Sequence, residues 1–510
     1  MIVIRCKIEK NIIVVYWVHL CMILISALGF CAGLWTNAYN IALGFLLLLY
    51  LEALIFYCEK IRRRCIQLIF HIVTWVFLIS RPTISMLRGK SWWYFNDSSI
   101  HFALTALFLT LLLMQLGTIF AEWRLASHDM YRNEHQQSDI RLIREAQPIN
   151  HNLRVISAIA FCATMFFSLL VGLEKISFAS MHSYTDYYTE YSSSLPYAFI
   201  TLAGMMPYMI CIYLSTMPKK KRAFIALAVY VVSTVPMLIV GARGDTVLAV
   251  IFAFVYYVIR DYLDGTRYWI GRKERIAIAI CLPLALLTLG LLNYMRDGAG
   301  YSGNVLSLIV DFFFKQGVSF DVLCMGYAAI PFLPSTVSKV YTFGGILDYF
   351  EYNNFAQKFF GAISLGTGNS VTMATYSNSF AHSMSYVAHS GYLSGHGYGS
   401  SYLLETYADF GYVGLALFSF LLAVAMACMI PIIKRSRFGS VIVLCGIMSL
   451  FLVPRAGATD WLNFLVYKRF WLCVLVCYIP ACMMQKTYKF RYRTNKRRES
   501  VDGRVSKWST

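Results

Sequence analysis

Charge is scarce in this sequence, and acidic charge scarcer still: 14% of its 510 residues are charged, and Asp and Glu together number 26. A soluble protein of this length would carry roughly twice that charged fraction, so an ordinary solvated globule is excluded. Walker, dinucleotide-binding, HExxH and GxSxG motifs are missing, and with them the recognisable nucleotide, zinc and serine chemistries. The sequence has no obvious internal repeat and no low-complexity linker. Its 14 cysteines fall mostly inside apolar runs, such as Cys162, Cys211, Cys445 and Cys473, where they read as small buried hydrophobes. The longest insert holds Cys324 alone, so no disulfide framework is implied there.

What is present is apolar. Hydrophobic residues make up 58% of the chain, the mean hydropathy is +0.58, and runs near 20 residues recur from end to end. This pattern predicts an all-α polytopic membrane protein with about twelve transmembrane helices, from 11–33 to 464–484, of which the third (66–80) and eleventh (438–453) are short. The net charge of +19 invites a nucleic-acid reading, but its placement excludes one. The basic residues lie in short clusters between apolar runs. Placing the N-terminus in the cytoplasm puts 33 of the 45 Lys and Arg inside, which predicts an N-in, C-in topology. Arg5, Lys7 and Lys10 precede an apolar run too long for a cleaved leader, so the N-terminus reads as a retained signal anchor. The basic tail KTYKFRYRTNKRRES reads as a juxtamembrane segment lying on anionic lipid.

The organisation predicted is a bundle of about nine spans over 1–294, a large extracytoplasmic loop carrying short helices over 295–410, the last spans over 411–484, and a basic cytoplasmic tail over 485–510. The loop is too aromatic for disorder, and loops this long are usually functional when ordered. Within it VLSLIVDFFF and ILDYFEYNNFAQKFF read as amphipathic helices that lie on the outer leaflet or cap the bundle.

The loop closes on GHGYGSSYLLETYADFGYVG, residues 395–414. Gly395, Gly397 and Gly399 give backbone that bends sharply or approaches a ligand closely. Tyr398 and Ser400 lie among them, and Ser400 or Ser401 can cap a helix whose first turn carries Glu405, with Asp409 one turn on. A carboxylate pair at the mouth of a membrane helix must face protein or water, which makes this a site geometry. Glu405 and Asp409 are candidate general bases, or alternatively structural partners of Arg243 or Arg455. His396 is a candidate lone base. His382, His389 and His396 recur every seven residues, but no Cys or carboxylate cluster completes a metal site.

Against the basic residues assigned to the inside, the few on the outer side are informative. Arg243 lies in the turn GARGD, Arg296 in NYMRDG, Arg455 in VPRAGATDW, and Lys468 and Arg469 at the outer end of the last span. Each alone fits a snorkelling or ion-paired helix end. Together they favour an anionic ligand, since arginine grips phosphate bidentately and keeps its charge.

These residues resemble the Wzy-type polymerases of O-antigen and capsular polysaccharide. The likeness rests on the glycine–serine–glutamate–phenylalanine–glycine stretch before a late span, the arginine turn GARGD, and the layout of about twelve spans with a large late loop. The resemblance implies a glycosyltransferase of the bacterial inner membrane, working on its periplasmic face without cofactor or metal. Its substrate would be a glycan on undecaprenyl pyrophosphate, transferred to an incoming repeat unit. Arg243, Arg296, Arg455 and Arg469 would hold the pyrophosphate, Glu405 or His396 would deprotonate the acceptor, and Asp409 would orient its neighbours. A chain-length regulator and a flippase are the partners such polymerases usually accompany. An O-antigen ligase, a lipid-linked glycan flippase or other transporter, and a non-catalytic scaffold remain as alternatives.

Overall fold

The structure, a computed structural model, describes residues 2–129, 148–182, 187, 191–265, 269–296 and 303–485. In chain order its helices are α1 (Ile2–Trp35), α2 (Tyr39–Cys58), α3 (Cys65–Thr74), α4 (Ser80–Leu87), α5 (Asp97–Asp129), α6 (Pro148–Met181), α7 (Tyr197–Ala203), α8 (Met206–Ser215), α9 (Lys220–Val240), α10 (Gly244–Asp264) and α11 (Arg272–Arg296). A set of short helices follows: α12 (Val305–Gln316), α13 (Ser319–Ala329), α14 (Gly344–Glu351), α15 (Asn354–Phe360), α16 (Val371–Tyr376) and α17 (Phe380–Ala388). The chain then returns to long helices with α18 (Tyr402–Arg435), the shorter α19 (Arg437–Leu450), and α20 over 468–485.

Among the described residues, ten helical stretches are long and apolar enough to cross a membrane. The third runs over Cys65–Leu87, well past its expected end, because a π-helical turn at Trp75–Ile79 joins α3 to α4. The sixth, expected as one piece, is broken between α7 and α8 at Gly204 and Met205. The expected eleventh is α19, whose 14 residues reach about 21 Å at 1.5 Å each, short of the roughly 30 Å of a hydrocarbon core. The polar 123–154 loop is in part α5, which continues to Asp129; residues 130–147 and the tail beyond 485 lie outside the described residues.

The bundle turns on α5 and α18, which pack along each other. A side chain at Gly117 of α5 would collide with the backbone of Phe420 on α18, so small residues set the approach, as is usual between membrane helices. The two ends of the bundle differ in chemistry. At one end Arg64 grips Glu122 of α5 with two hydrogen bonds, 2.9 and 2.8 Å, while Arg62 pairs with Asp261 of α10 at 3.2 Å. Nearby, His19 of α1 bridges Glu52 of α2 and Glu59 just beyond its end, at 2.7 and 2.9 Å. At the other end, about 20 residues or 30 Å back along α5, Phe102 stacks on Tyr327 of α13, and the short helices form a cap.

Polar starts define the cap helices. Asn304, Asn353, Ser370 and Ser379 each accept a backbone N–H of the first turn that follows, which supplies orphan donors with acceptors. Ion pairs and hydrogen bonds then dock the cap. Arg88 pairs with Asp311 at 2.8 Å, Arg81 with Asp321 at 3.1 Å, and the Ser80 hydroxyl donates to the Phe313 carbonyl at 2.9 Å. Gly317 allows this seam, because a Cβ there would meet Ser80 and Arg81 at 2.5–2.6 Å. Of the two segments expected on the leaflet or on the bundle, the first, α12, therefore packs on the bundle.

Candidate functional site

The glycine stretch crosses the cap as an extended ribbon with one sharp bend. Gly395 takes φ 87°, the left-handed region, ending the single turn Tyr392–Ser394. Gly397 lies where a Cβ would come within 3.1 Å of the Ser385 hydroxyl, and Ser385 exchanges hydrogen bonds with the Tyr398 amide (2.9 Å) and carbonyl (3.1 Å). Gly399 lies against the carbonyl of Arg455. Asn369 holds the ribbon from outside by donating to the carbonyls of Tyr392 and His396 at 2.8 and 2.7 Å.

Ser401 then caps α18 by accepting the Leu403 amide, as the sequence suggested for one of the two serines. Ser400 turns elsewhere. Its hydroxyl donates to Glu405 Oε1 at 2.7 Å, while Glu405 Oε2 accepts the Ala458 amide at 2.7 Å. The carboxylate is 4% exposed. It ties the glycine ribbon to the 453–460 turn, and its partners are a hydroxyl and an amide where an arginine was the alternative considered. Both carboxyl oxygens thus have a donor, so the buried acceptor is not left unsatisfied.

Asp409, one turn on, also holds backbone. It accepts the amides of Tyr341 (3.1 Å) and Thr342 (2.7 Å) and the Thr342 hydroxyl (2.6 Å). Thr459 closes the circuit by donating to the Thr342 carbonyl at 3.0 Å. Asp460, in turn, accepts from the Gly457 amide and the Asn463 side chain at 2.8 and 2.9 Å. The start of α18, the 341–343 turn and the 455–463 segment are thus one hydrogen-bonded unit.

Of the three histidines, His389 and His396 stay together and His382 stands apart. His382 is partly buried and bonds the Tyr392 hydroxyl at 3.0 Å; burial lowers its pKa. His389 accepts the Gly391 amide at 3.0 Å, and His396 stacks on it with ring centres 5.9 Å apart. The His396 side chain is exposed on the ribbon. Among the described residues no group of three or more His, Cys, Asp or Glu is arranged to hold a metal ion.

The arginines stand on separate helix ends. Arg243 begins α10 and reaches the Leu289 carbonyl of α11 at 3.3 Å. Arg455 is exposed, its guanidinium 5.6 Å from the centre of the Phe77 ring in the π-turn. Arg469, in the first turn of α20, lies against Gly204 at the break between α7 and α8. Arg296 is the last residue of α11; its side chain and Asp297 lie outside the described residues.

Of the basic residues at the cap end that the sequence reading passed over, Arg81, Arg88 and Lys339 make the cap's ties. Arg81 and Arg88 hold the cap, and the topology argument applied to the 81–99 loop would have found them. Lys339 is partly buried, donating to the Ala374 carbonyl (2.7 Å) and the Ser383 hydroxyl (2.9 Å). Burial pulls its ammonium down to about 8, and no local sequence signal marks it.

The fold and this unit define a class: a multi-pass helical membrane protein whose late loop is a packed cap joined to the start of a late long helix by a hydrogen-bonded polar unit. Within that class the chain belongs to the O-antigen polysaccharide polymerase Wzy family, whose family model matches residues 12–487. Comparison with curated proteins gives no match, and comparison with solved structures gives none. Membership makes the protein a membrane polymerase of O-antigen polysaccharide, working on a lipid-linked oligosaccharide.

Proposed function

We propose that this protein joins undecaprenyl-pyrophosphate-linked repeat units into O-antigen or capsular chains, on the periplasmic face of the inner membrane, with both termini cytoplasmic. The observation that carries the reading is the Glu405 tie. It brings the glycine ribbon with His396 and the turn with Arg455 to one end of the bundle, the end holding the cap.

The transfer itself needs a nucleophile, a leaving group and a proton acceptor. An acceptor hydroxyl of the incoming unit loses its proton to His396 and attacks C1 of the donor glycan. The C1–O bond to the pyrophosphate breaks, and undecaprenyl pyrophosphate departs with the bonding electrons. Arg455, Arg243, Arg296 and Arg469 neutralise the charge that develops on it, which is the larger share of catalysis when the leaving group is anionic. Glu405 and Asp409 act beneath them as orienting carboxylates. Gly395, Gly397, Gly399, Tyr398 and Ser400 form the wall against which the sugar lies. The chain-length regulator and flippase are its working partners.

The test is the surface-glycan ladder of a deletion strain complemented with Arg243→Ala or Arg455→Ala. Single repeat units on the acceptor in place of the ladder support the reading. Full-length chains from both variants overturn the arginine assignment. Long chains stranded on the lipid carrier would make the protein a ligase.

A further inference from the structure

The second of the two amphipathic loop segments leaves a ridge of aromatic rings uncovered. On α14 Phe350 is 59% exposed, and on α15 Phe355, Phe359 and Phe360 are 60%, 63% and 78% exposed. Phe355 and Phe359, four residues apart, share a helix face with ring centres 4.6 Å apart. Four large apolar side chains this exposed within 11 residues would make a poor water-facing surface.

The height of the ridge in the molecule is fixed by a neighbour. Tyr349 of α14 lies 5.9 Å, ring to ring, from Tyr467, at the foot of α20. Tyr467, Lys468 and Trp471 there make the aromatic and basic belt that marks where a membrane helix leaves the hydrocarbon. Directly along α20 from that belt, Leu472, Leu475, Val476 and Ile479 are exposed as an apolar stripe on one helix face, the pattern of a face turned to lipid. Phe350 is the neighbour of Tyr349, with ring centres 5.6 Å apart, so the ridge starts beside the belt at the foot of α20. Lys358, exposed with its Nζ 5.8 Å from the Phe359 ring, stands at the edge where an ammonium can reach headgroup phosphates.

We propose that Phe350, Phe355, Phe359 and Phe360 form a membrane-docking ridge, inserted among the phospholipids of the leaflet on the cap side. The occupant is phospholipid, since the ridge starts beside the belt at the foot of α20. The ridge anchors the cap from the side, away from the ion pairs that Arg81 and Arg88 make. This inference rests on the position of α14 beside α20 and stands whether or not the arginines bind pyrophosphate.

The experiment places a photoreactive ring where the rings are. The full chain is made with Phe355→p-benzoylphenylalanine or Phe359→p-benzoylphenylalanine, each a ring-for-ring change that spares the fold. Each is reconstituted in nanodiscs of phosphatidylethanolamine and phosphatidylglycerol and irradiated, and adducts are read by mass spectrometry. Leu475→p-benzoylphenylalanine, on the exposed apolar stripe of α20, is the positive control. Phospholipid adducts at 355 and 359 comparable in yield to those at 475 are expected. Adducts at 475 with none at 355 and 359 overturn the proposal. Crosslinks from 355 and 359 to a second protein chain overturn it as well, by putting protein where lipid is proposed.

Discussion

Glu405 and Ala458 meet at 2.7 Å across 53 positions of sequence, and the Ser400 hydroxyl completes the carboxylate's pair of donors. The contact joins two stretches that hydropathy would treat as unrelated loop ends. A carboxylate held this way can position its neighbours without touching substrate, and the two roles separate by experiment. Glu405→Gln keeps an acceptor for the Ala458 amide and a group that can pair with Ser400, so it should keep most of the ladder. Glu405→Ala leaves a buried amide and a buried hydroxyl without partners, at about 1–3 kcal/mol each. It should lower the melting temperature in detergent and abolish long chains. If the glutamine variant is as inactive as the alanine one while melting like wild type, the carboxylate is itself the acid or base.

His396 should behave in the opposite manner. Its side chain is exposed and its backbone is held through the carbonyl by Asn369, so His396→Ala should leave the melting temperature unchanged. As the proton acceptor it should cost about 10²- to 10⁴-fold in rate. The check is a polymerisation assay with purified lipid-linked repeat units, and a wild-type rate would move the base elsewhere.

Arg455 should be irreplaceable by lysine. A pyrophosphate gripped bidentately by a planar guanidinium is not held equally by a point charge. Inorganic pyrophosphate should inhibit the wild-type enzyme, and Arg455→Lys or Arg455→Ala should weaken that inhibition by about ten- to a hundredfold, the worth of one charge-assisted hydrogen bond. Unchanged inhibition would remove Arg455 from the anion site.

Lys339 gives a pH dependence with a definite sign. Its folded-state value of about 8 lies below the ordinary 10.5, so between these values the unfolded chain binds more protons. Stability linked to this residue must therefore rise as pH climbs from about 8 toward 10.5, and the burial cost is fully present below 8. Relative to Lys339→Met, which carries no proton, the wild-type protein should gain a few degrees in melting temperature between pH 8 and pH 10. A constant difference would mean the amine is solvated in the folded protein.

Gly411 should not tolerate a side chain. It holds φ 63° and ψ −161°, a region that glycine alone occupies comfortably, and it breaks α18 where the cap hands over to the membrane half. Nothing lies within 4 Å of a Cβ placed there, so Gly411→Ala would act through backbone strain alone, at about 1–3 kcal/mol. Thermal unfolding of the purified variant measures it.

Much of this was legible before any coordinates. Long apolar runs have one solution in a membrane, so the starts of α2 at Tyr39 and α10 at Gly244 follow from composition and turn residues alone. The cap on α18 was legible too, because a serine before an apolar helix has a local job. What stayed hidden depends on long-range pairing. Nothing near Glu405 in sequence announces Ala458, and nothing near Lys339 announces Ser383. The π-turn at Trp75–Ile79 was equally hidden, since one extra residue in a helical turn leaves the apolar pattern almost unchanged. The break at Gly411 lay in plain view inside the glycine stretch, but an apolar run gives no hint of where a helix bends.

The uneven fastening of the bundle has a mechanical consequence. His19, Glu52, Arg62, Arg64, Glu122 and Asp261 rivet α1, α2, α5 and α10 together at the end away from the cap. Little of α11 is buried; Lys220 pairs with Glu274 at its start, and near its other end Arg243 donates to the Leu289 carbonyl and Tyr294 to Asp311. A helix tied near both ends and bare along its flank leaves one side of the frame open to whatever surrounds it.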